Sequence, residues 1–373
     1  MQAPRNPAAP VRHVDLTLLL STLGIAFIGV LMVYSSTRQK QENAGLDPAF
    51  FLKRQAVFLV LGLLALALIG LVDYRRIRDF APLLYGGAVL ALLLVISPLG
   101  TSRRGTQAWF QLGGFQFQPS EVSKVVLILA LAAICAGARG SLDTTALMAA
   151  LGLAFVPMAL IYIQPDLGTN MVFAAVVIAV LLVAGARPRH IAVLSLLGIT
   201  AIALIVELGM LQDYQRDRLT AFLDPQADSQ RSSYNLRQSQ IAIAAGGVAG
   251  RGLFQGTQTN LSFVPEQHTD FIFTAVGEEL GFIGGLSLLG LFGVVVWRIW
   301  RAAVLARDQF GRLVCVGVLA MLVFQIFENV GMTMGITPIT GIPLPFMSYG
   351  GSAMIASFAG IGLVLNVHMR RFT

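Results

Sequence analysis

The sequence predicts an all-α polytopic membrane protein. Hydrophobic residues make up 56% of the 373 residues and charged residues only 12%, well below the charged fraction of a soluble domain. Mean hydropathy is +0.75, and long apolar runs recur along the chain. We therefore expect a single integral-membrane domain over residues 1–373.

About ten of these apolar runs approach the length that a membrane-spanning helix requires, roughly 17–25 residues. The predicted spans are 15–36, 54–72, 80–98, 119–138, 146–163, 169–186, 190–212, 270–297, 313–334 and 350–368. Between spans seven and eight, residues 213–269 are predicted to form one long extracytoplasmic loop. Its glycines and its Ile-Ala-Ile-Ala-Ala run indicate short helical pieces at the interface. A loop of this length is usually functional or disordered.

The distribution of Lys and Arg predicts the orientation. Connecting segments on the side of the N-terminus hold fourteen of these residues, and the opposite segments hold eleven. Five of the eleven lie in the long loop, where the positive-inside rule weakens. Both termini are therefore predicted to be cytoplasmic. The net charge of +7 follows largely from this bias, so no nucleic-acid partner is expected.

Several common classes of site lack support in the sequence. Cys135 and Cys315 lie inside apolar runs without metal-ligand spacing, so both are predicted to be packing residues. No dinucleotide fingerprint, P-loop or Ser-His-Asp spacing is present. The first apolar run is too long for a signal sequence and lacks a convincing cleavage site, so it is predicted to be a retained helix.

Polar chemistry concentrates between residues 238 and 285, where a glycine-rich segment runs directly into an apolar one. His268 and Asp270 lie at this boundary, which places a carboxylate at the membrane surface. An N-terminal helix cap is the alternative role for Asp270. Four small residues then fall near one helix face: Thr274, Gly277, Gly281 and Gly284. Such a stripe lets another helix pack closely.

Charged residues also mark the predicted fourth span. Pro119 suits its first turn, and Glu121 and Lys124 follow at a spacing of three, at which side chains on a helix can pair. Such a pair either locks the helix or serves function. Asp166, after Pro165, is expected to make the tight connection between spans five and six.

The segment after the predicted ninth span cannot be a regular helix. That span carries Glu328 and Asn329, and three prolines follow it: Pro338, Pro343 and Pro345. Because proline breaks the helical hydrogen-bond pattern, this segment is predicted to be irregular and to line a cavity or the outer surface.

Four motifs together resemble the SEDS family of bacterial cell-wall proteins. They are QPSEVSK (118–124), QPDLGT (164–169), HTDFIFTAVGEELGFIG (268–284) and GITPITGIPLPFMSYGGS (335–352). The resemblance covers nearly the whole chain. It implies polymerisation of lipid II into undecaprenyl-pyrophosphate-linked glycan at the outer face of the bacterial cytoplasmic membrane, for cell elongation and shape. It also implies a class B penicillin-binding protein as the crosslinking partner.

The resemblance assigns roles to particular residues. Asp270 matches the family's essential acid, and Glu121 and Lys124 match its charged pair. Arg104 matches an arginine before a tryptophan motif, although Gln107 and Ala108 stand where a second arginine is common. Asp166 matches an aspartate that can be structural. The residues predicted to bind substrate are Arg104, Glu121, Lys124, Gln238, Ser239, His268 and Ser348.

The chemistry of sugar transfer fits this assignment. Asp270 can act as the general base, and Arg104, Lys124 or a divalent ion, Mg²⁺ or Mn²⁺, can stabilise the pyrophosphate leaving group. No protein metal cage and no organic cofactor are expected. Asp270, Lys124 and Arg104 are predicted to line one outward-facing cavity, with residues 338–351 at its rim. A flippase for lipid-linked cell-wall precursors, and a scaffold for a partner enzyme, are the alternatives.

Overall fold

The computed structural model describes residues 13–103, 106–137, 142–209, 213–223 and 232–372, and it is mostly helical. Its long helices are α1 (Leu16–Asn43), α2 (Phe50–Leu71), α3 (Tyr74–Ile96), α4 (Pro119–Cys135), α5 (Thr144–Ile163), α6 (Leu167–Val183), α7 (Pro188–Glu207), α11 (Ile272–Val304), α12 (Gln309–Met334) and α13 (Gly351–Met369). Three shorter helices, α8 (Asp213–Leu223), α9 (Ser232–Gly246) and α10 (Thr257–Asn260), lie between α7 and α11. Short helices were predicted there, and this is confirmed.

Seven helices among the described residues are long and apolar enough to cross a membrane: α1, α2, α3, α5, α11, α12 and α13. The apolar helix α6 has 17 residues and is too short to be counted with them. Each predicted span coincides with one long helix, in the predicted order. The count of ten membrane crossings stays a prediction.

The all-α prediction is wrong for the connection between α3 and α4. Strands β1 (Thr101–Arg103), β2 (Thr106–Leu112) and β3 (Phe115–Phe117) form a three-stranded antiparallel sheet in that order. The sequence Thr-Gln-Ala-Trp-Phe-Gln-Leu is rich in residues that favour strands. Gly113, with φ of 60°, then supplies the left-handed turn into β3. The fold is therefore mostly helical with one small sheet.

Contacts between chain ends define the two ends of the bundle. The rings of His13 and Phe372 lie 5.1 Å apart, and Asp15, which caps α1, forms a 2.5 Å ion pair with Arg298 in α11. We call this the terminal end. At the opposite end, the loop end, helices α4, α6, α11 and α13 begin. The first and last described residues, His13 and Phe372, thus lie at one end, whereas the cytoplasmic location of the termini stays a prediction.

Helix α11 is interrupted at Gly281, where φ is 65° and ψ is −163°. Residues 247–252 satisfy the backbone groups that this interruption leaves open. The amides of Arg251 and Gly252 donate to the carbonyls of Glu278 and Glu279, and the carbonyls of Gly247 and Val248 accept from the amides of Phe282 and Ile283. The long polar segment is thereby joined to the helix through main-chain hydrogen bonds.

The predicted glycine stripe is the surface on which this segment packs. A Cβ at Gly246, the last residue of α9, would lie 1.9 Å from the Gly277 carbonyl oxygen. A Cβ at Gly281 would lie 2.2 Å from the Gly250 nitrogen. Close helix approach is thus confirmed at Gly277, whereas a Cβ at Gly284 would meet its own neighbour Leu280.

Two further predictions concern the interior. Cys135 and Cys315 are free and fully buried, which confirms them as packing residues. The segment after α12 is irregular from residue 336 to 350, as predicted. It enters the bundle so closely that a Cβ at Gly29 of α1 would lie 2.6 Å from the Met347 Cα. Such irregular backbone is tolerated at membrane depth because protein surrounds it.

Candidate functional site

Asp270 stands immediately before α11 at the loop end and is half-buried. The N-cap of α11 is Phe271, which makes no side-chain capping bond, and the Asp270 amide donates to the Glu266 carbonyl at 3.2 Å. The structure therefore places Phe271, and not Asp270, at the cap position of α11.

The main chain of Asp270 is held by Asn329 of α12. The Asn329 side-chain amide donates to the carbonyl oxygens of Asp270 and Ile342, each at 2.8 Å. Asn329 is fully buried, so water does not compete for these bonds. The Asn329 side chain thus fixes the backbone of Asp270 relative to the irregular segment after α12.

A guanidinium lies beside this carboxylate. A Cβ at Gly341, whose φ is 78°, would lie 3.3 Å from Asp270 Oδ2 and 3.5 Å from Arg218 Nη1. Arg218, on α8, also donates to the Thr340 carbonyl at 3.0 Å. In the sequence, Arg218 is only one of the five basic residues counted in the long loop to predict orientation. Nothing in the local pattern indicates that α8 reaches Asp270.

Glu121 and Lys124 form the predicted pair. Lys124 Nζ lies 2.8 Å from Glu121 Oε1, and the two side chains are 2% and 5% exposed. Burial removes both groups from water, and their mutual attraction offsets part of the lost hydration. The pairing is confirmed, and it belongs to the first two turns of α4.

Contacts at the loop end connect this pair with the segment beside Asp270. Gln118, just before α4, donates to Asp166 at 3.4 Å. Two residues after Asp166, a Cβ at Gly168 would lie 3.1 Å from the Thr340 carbonyl oxygen. The first two turns of α4, which carry the pair, and Asp270 are therefore linked at the loop end through residues 340–342.

Asp166 has the structural role expected of it. Its carboxylate accepts hydrogen bonds from the Thr169 amide at 2.9 Å and from the Thr169 hydroxyl at 2.7 Å, as the cap of α6. The prediction of a tight connection between the fifth and sixth helices is confirmed.

His268 and Ser348 belong to one packed unit. The His268 ring lies 5.1 Å from the Phe51 ring and 5.6 Å from the Tyr349 ring, and its carbonyl accepts from the Tyr349 amide at 2.9 Å. Ser348 Oγ accepts from the Leu344 amide at 2.8 Å and closes a turn. Substrate binding by both residues stays a prediction.

The other predicted substrate-binding residues lie elsewhere on the loop-end elements. Ser239 of α9 is fully buried and donates to the Thr333 carbonyl at 2.6 Å. Gln238 is half-buried on the same helix. Arg104 lies outside the described residues. Within the described ranges, no group of three or more His, Cys, Asp or Glu residues is arranged to hold a metal.

The groups around Asp270 combine a proton acceptor, its carboxylate, with a cation, the guanidinium of Arg218. The Asp270 carboxylate is half-buried, its backbone is fixed by Asn329, and the Arg218 guanidinium lies beside it. A carboxylate can take a proton from a hydroxyl group. A guanidinium suits the oxygens of a phosphate. Both functions are needed wherever a hydroxyl replaces a phosphate-containing leaving group.

Comparisons with known proteins give the family. The model of the FtsW, RodA and SpoVE family, described as a cell cycle protein, matches residues 16–372. The probable peptidoglycan glycosyltransferase FtsW of Geobacter metallireducens is 36% identical over 365 residues, with 96% of both chains covered. The peptidoglycan glycosyltransferase MrdB of Escherichia coli K12 is 37% identical over 365 residues, covering 96% of this chain and 94% of MrdB.

A solved structure agrees with the sequence relatives. Its report concerns structural coordination of polymerization and crosslinking by a peptidoglycan synthase complex. One chain of it superposes with a TM-score of 0.80 at 36% identity, and the match covers 96% of this chain and 99% of that one. Motifs, fold and relatives thus agree, and the chain belongs to the FtsW/RodA/SpoVE family, the SEDS proteins of the bacterial inner membrane, which cross that membrane several times.

Proposed function

We propose that this protein polymerises lipid II into glycan strands at the outer face of the cytoplasmic membrane. Membership of the family makes it a peptidoglycan glycosyltransferase. The finer statement, with lipid II as substrate and the outer leaflet as the place of reaction, rests on the motifs and on the site at the loop end. The prediction that this end faces outward is part of the proposal.

One observation carries the proposal: Asn329 ties the backbone carbonyl of Asp270 to that of Ile342, and this holds the half-buried Asp270 residue at the loop end. In the proposed reaction, an acceptor sugar hydroxyl attacks the anomeric carbon of the donor sugar and gives its proton to Asp270. The new glycosidic bond forms as the bond from that carbon to the pyrophosphate breaks. The pyrophosphate, still attached to its polyprenyl carrier, leaves with the bonding electrons on its oxygen.

The departing pyrophosphate needs positive charge close by. Lys124, Arg104 or a divalent ion such as Mg²⁺ or Mn²⁺ is proposed to supply it. Magnesium in such sites is held by one or two carboxylates together with substrate phosphates. Asp270 is a carboxylate that fits this pattern. The ion would neutralise charge on the phosphates, while Asp270 would still orient the acceptor hydroxyl.

Substrate is proposed to enter sideways from the membrane. Its polyprenyl tail would lie between helices, while its phosphates would remain level with the loop end. Asp270, Lys124 and Arg104 would line one cavity there, with residues 338–351 at its rim. The contacts that lead from Gln118 through Asp166 and Gly168 to Thr340 support this arrangement.

A class B penicillin-binding protein is the proposed partner for crosslinking. The related solved complex concerns polymerization together with crosslinking, which supports a partner of that kind. We propose a role in cell elongation and shape. Relatives named FtsW and MrdB cover this chain to similar extents, so depletion of the protein in its host, scored as loss of rod shape or as filamentation, tests that role.

The deciding experiment offers lipid II to the purified protein without a partner's transferase domain. Longer glycan products on a denaturing gel support polymerisation. A protein that moves labelled lipid II between the leaflets of a vesicle but forms no glycan would instead be a flippase. A protein that does neither, yet still binds its partner, would be a scaffold.

A further inference from the structure

The guanidinium nearest to Asp270 comes from the segment between α7 and α11. A Cβ at Gly341 would lie within 4 Å of Asp270 Oδ2 and of both terminal nitrogens of Arg218. The two opposite charges thus border the same small gap at Gly341, where they attract each other and are less screened by water than exposed groups would be. Arg218 is therefore part of the Asp270 site.

The position of Arg218 is set by backbone contacts. Its Nη1 donates to the Thr340 carbonyl at 3.0 Å, and Gln215, one turn earlier on α8, donates to the Pro165 carbonyl at 3.5 Å. Helix α8 is thereby placed across two irregular connections of the bundle. Gly341, with φ of 78°, leaves room for both charged groups, because it has no side chain to fill the space between them.

Lys124 is less suited to bind an outside anion. Its ammonium lies 2.8 Å from the Glu121 carboxylate, and its side chain is 2% exposed. Recruiting Lys124 would break a buried ion pair, which is unfavourable. Arg218 is half-buried rather than enclosed, so it is open to an approaching anion to a degree that Lys124 is not.

We propose that Arg218 binds the pyrophosphate of the lipid-linked donor and of the polyprenyl product. This inference rests on the proposed polymerase function and adds a residue to it. The planar guanidinium can donate to two phosphate oxygens at once. Placed beside Asp270, it also offsets the repulsion between the carboxylate base and the anionic leaving group, which must come close to each other during transfer.

The test measures binding separately from turnover. The full-length protein and its variants Arg218→Gln, Arg218→Lys and Arg216→Gln are titrated with undecaprenyl pyrophosphate and with undecaprenol, which lacks the charged group. Arg216 is the matched control, because it is an exposed arginine on the same helix. We expect Arg218→Gln to weaken pyrophosphate binding about tenfold or more and to leave undecaprenol binding unchanged.

The remaining variants sharpen the result. Arg218→Lys should bind pyrophosphate with intermediate affinity, since it keeps the charge and loses the fork. Arg216→Gln should match the wild type. If Arg218→Gln unfolds at a lower temperature than the wild type, the pyrophosphate affinity of Arg218→Lys is compared with that of the wild type instead. Inorganic pyrophosphate should compete with the lipid in the wild type and much less in Arg218→Gln.

Two outcomes would overturn the assignment. One is unchanged affinity of a folded Arg218→Gln or Arg218→Lys protein for undecaprenyl pyrophosphate. The other is an equal loss in Arg216→Gln, which would make the effect one of overall charge. A wild-type protein that binds undecaprenyl pyrophosphate through Arg218 but forms no glycan would instead refute the polymerase proposal and leave the pyrophosphate site standing.

Discussion

Aspartate and asparagine side chains have nearly the same shape, so the variant Asp270→Asn tests the basicity of the Asp270 carboxylate without changing its packing. Asp270→Asn should reduce lipid II polymerisation by about a hundredfold or more, the usual effect of removing a general base. Stability should be retained, because the amide keeps the shape of the carboxylate and because Phe271, not Asp270, is the N-cap of α11. Glycan formed by the purified variant, together with its thermal unfolding midpoint, is the measurement. Product at the wild-type rate would remove Asp270 from the role of base.

Asn329 is the residue that sequence patterns do not connect with Asp270, although it fixes the backbone there. Asn329→Asp replaces the nitrogen Nδ2, which donates both hydrogen bonds, with one oxygen that faces two carbonyl oxygens at 2.8 Å. We expect lower kcat and a loss of about 1–3 kcal/mol in stability for each carbonyl left unpaired. Initial rates and thermal unfolding measure this.

Thr333→Val, on the same helix, is the control for that substitution. The Thr333 hydroxyl bonds to the Val330 carbonyl of its own helix, so its removal should leave kcat near the wild-type value. If Asn329→Asp and Thr333→Val have equal kcat, then Asn329 does not position the base.

Glu121 and Lys124 should behave as one unit. Removing either charge leaves the other buried and unpaired, which costs about 3–5 kcal/mol. The double variant Glu121→Gln with Lys124→Met should therefore lose less than the two single variants together. Unfolding midpoints and polymerisation rates of all three variants complete the cycle. Simple additivity would show that the 2.8 Å contact has no energetic coupling.

At the scale of elements, the interruption of α11 organises the polar segment before it. Gly281 has a φ of 65°, and a Cβ there would lie 2.2 Å from the Gly250 nitrogen. Gly281→Ala should therefore destabilise the protein by about 1–3 kcal/mol through backbone strain, with further loss from the clash. The expected observation is a lower unfolding midpoint together with faster amide exchange in residues 246–256.

Gly290 provides the comparison within the same helix. Nothing lies within 4 Å of a Cβ placed there, so Gly290→Ala should be neutral or slightly stabilising. Equal midpoints for the two alanine variants would contradict the view that the break at Gly281 is a required feature of α11.

The small sheet at the loop end has a local sequence signal, although overall composition does not predict it. Thr106, Trp109 and Phe110 of β2 favour a strand, and the glycine turn after β2 favours a hairpin. Composition alone predicted only helices. The sheet depends on a short local signal, which a count of long apolar runs does not detect.

At the scale of the molecule, orientation across the membrane can be tested with single cysteines. Leu46→Cys lies between α1 and α2 at the loop end, and Arg187→Cys lies before α7 at the terminal end; both residues are exposed. A membrane-impermeant thiol reagent should label the first in intact cells and the second only after permeabilisation. The native cysteines should contribute little, because both are fully buried. The reverse pattern would invert the predicted topology.

The sequence by itself determined the membrane class, the positions of the long helices, the pairing of Glu121 with Lys124, the tight connection at Asp166 and the family. These features depend on composition, on spacing along one helix or on motifs, all of which are local in the chain. The tertiary structure decided the neighbours of Asp270. Asn329, Arg218 and Gly341 approach it from three separate elements. Only packing fixes such contacts, because residues 52 to 71 positions away in sequence carry no periodic signal that links them to Asp270.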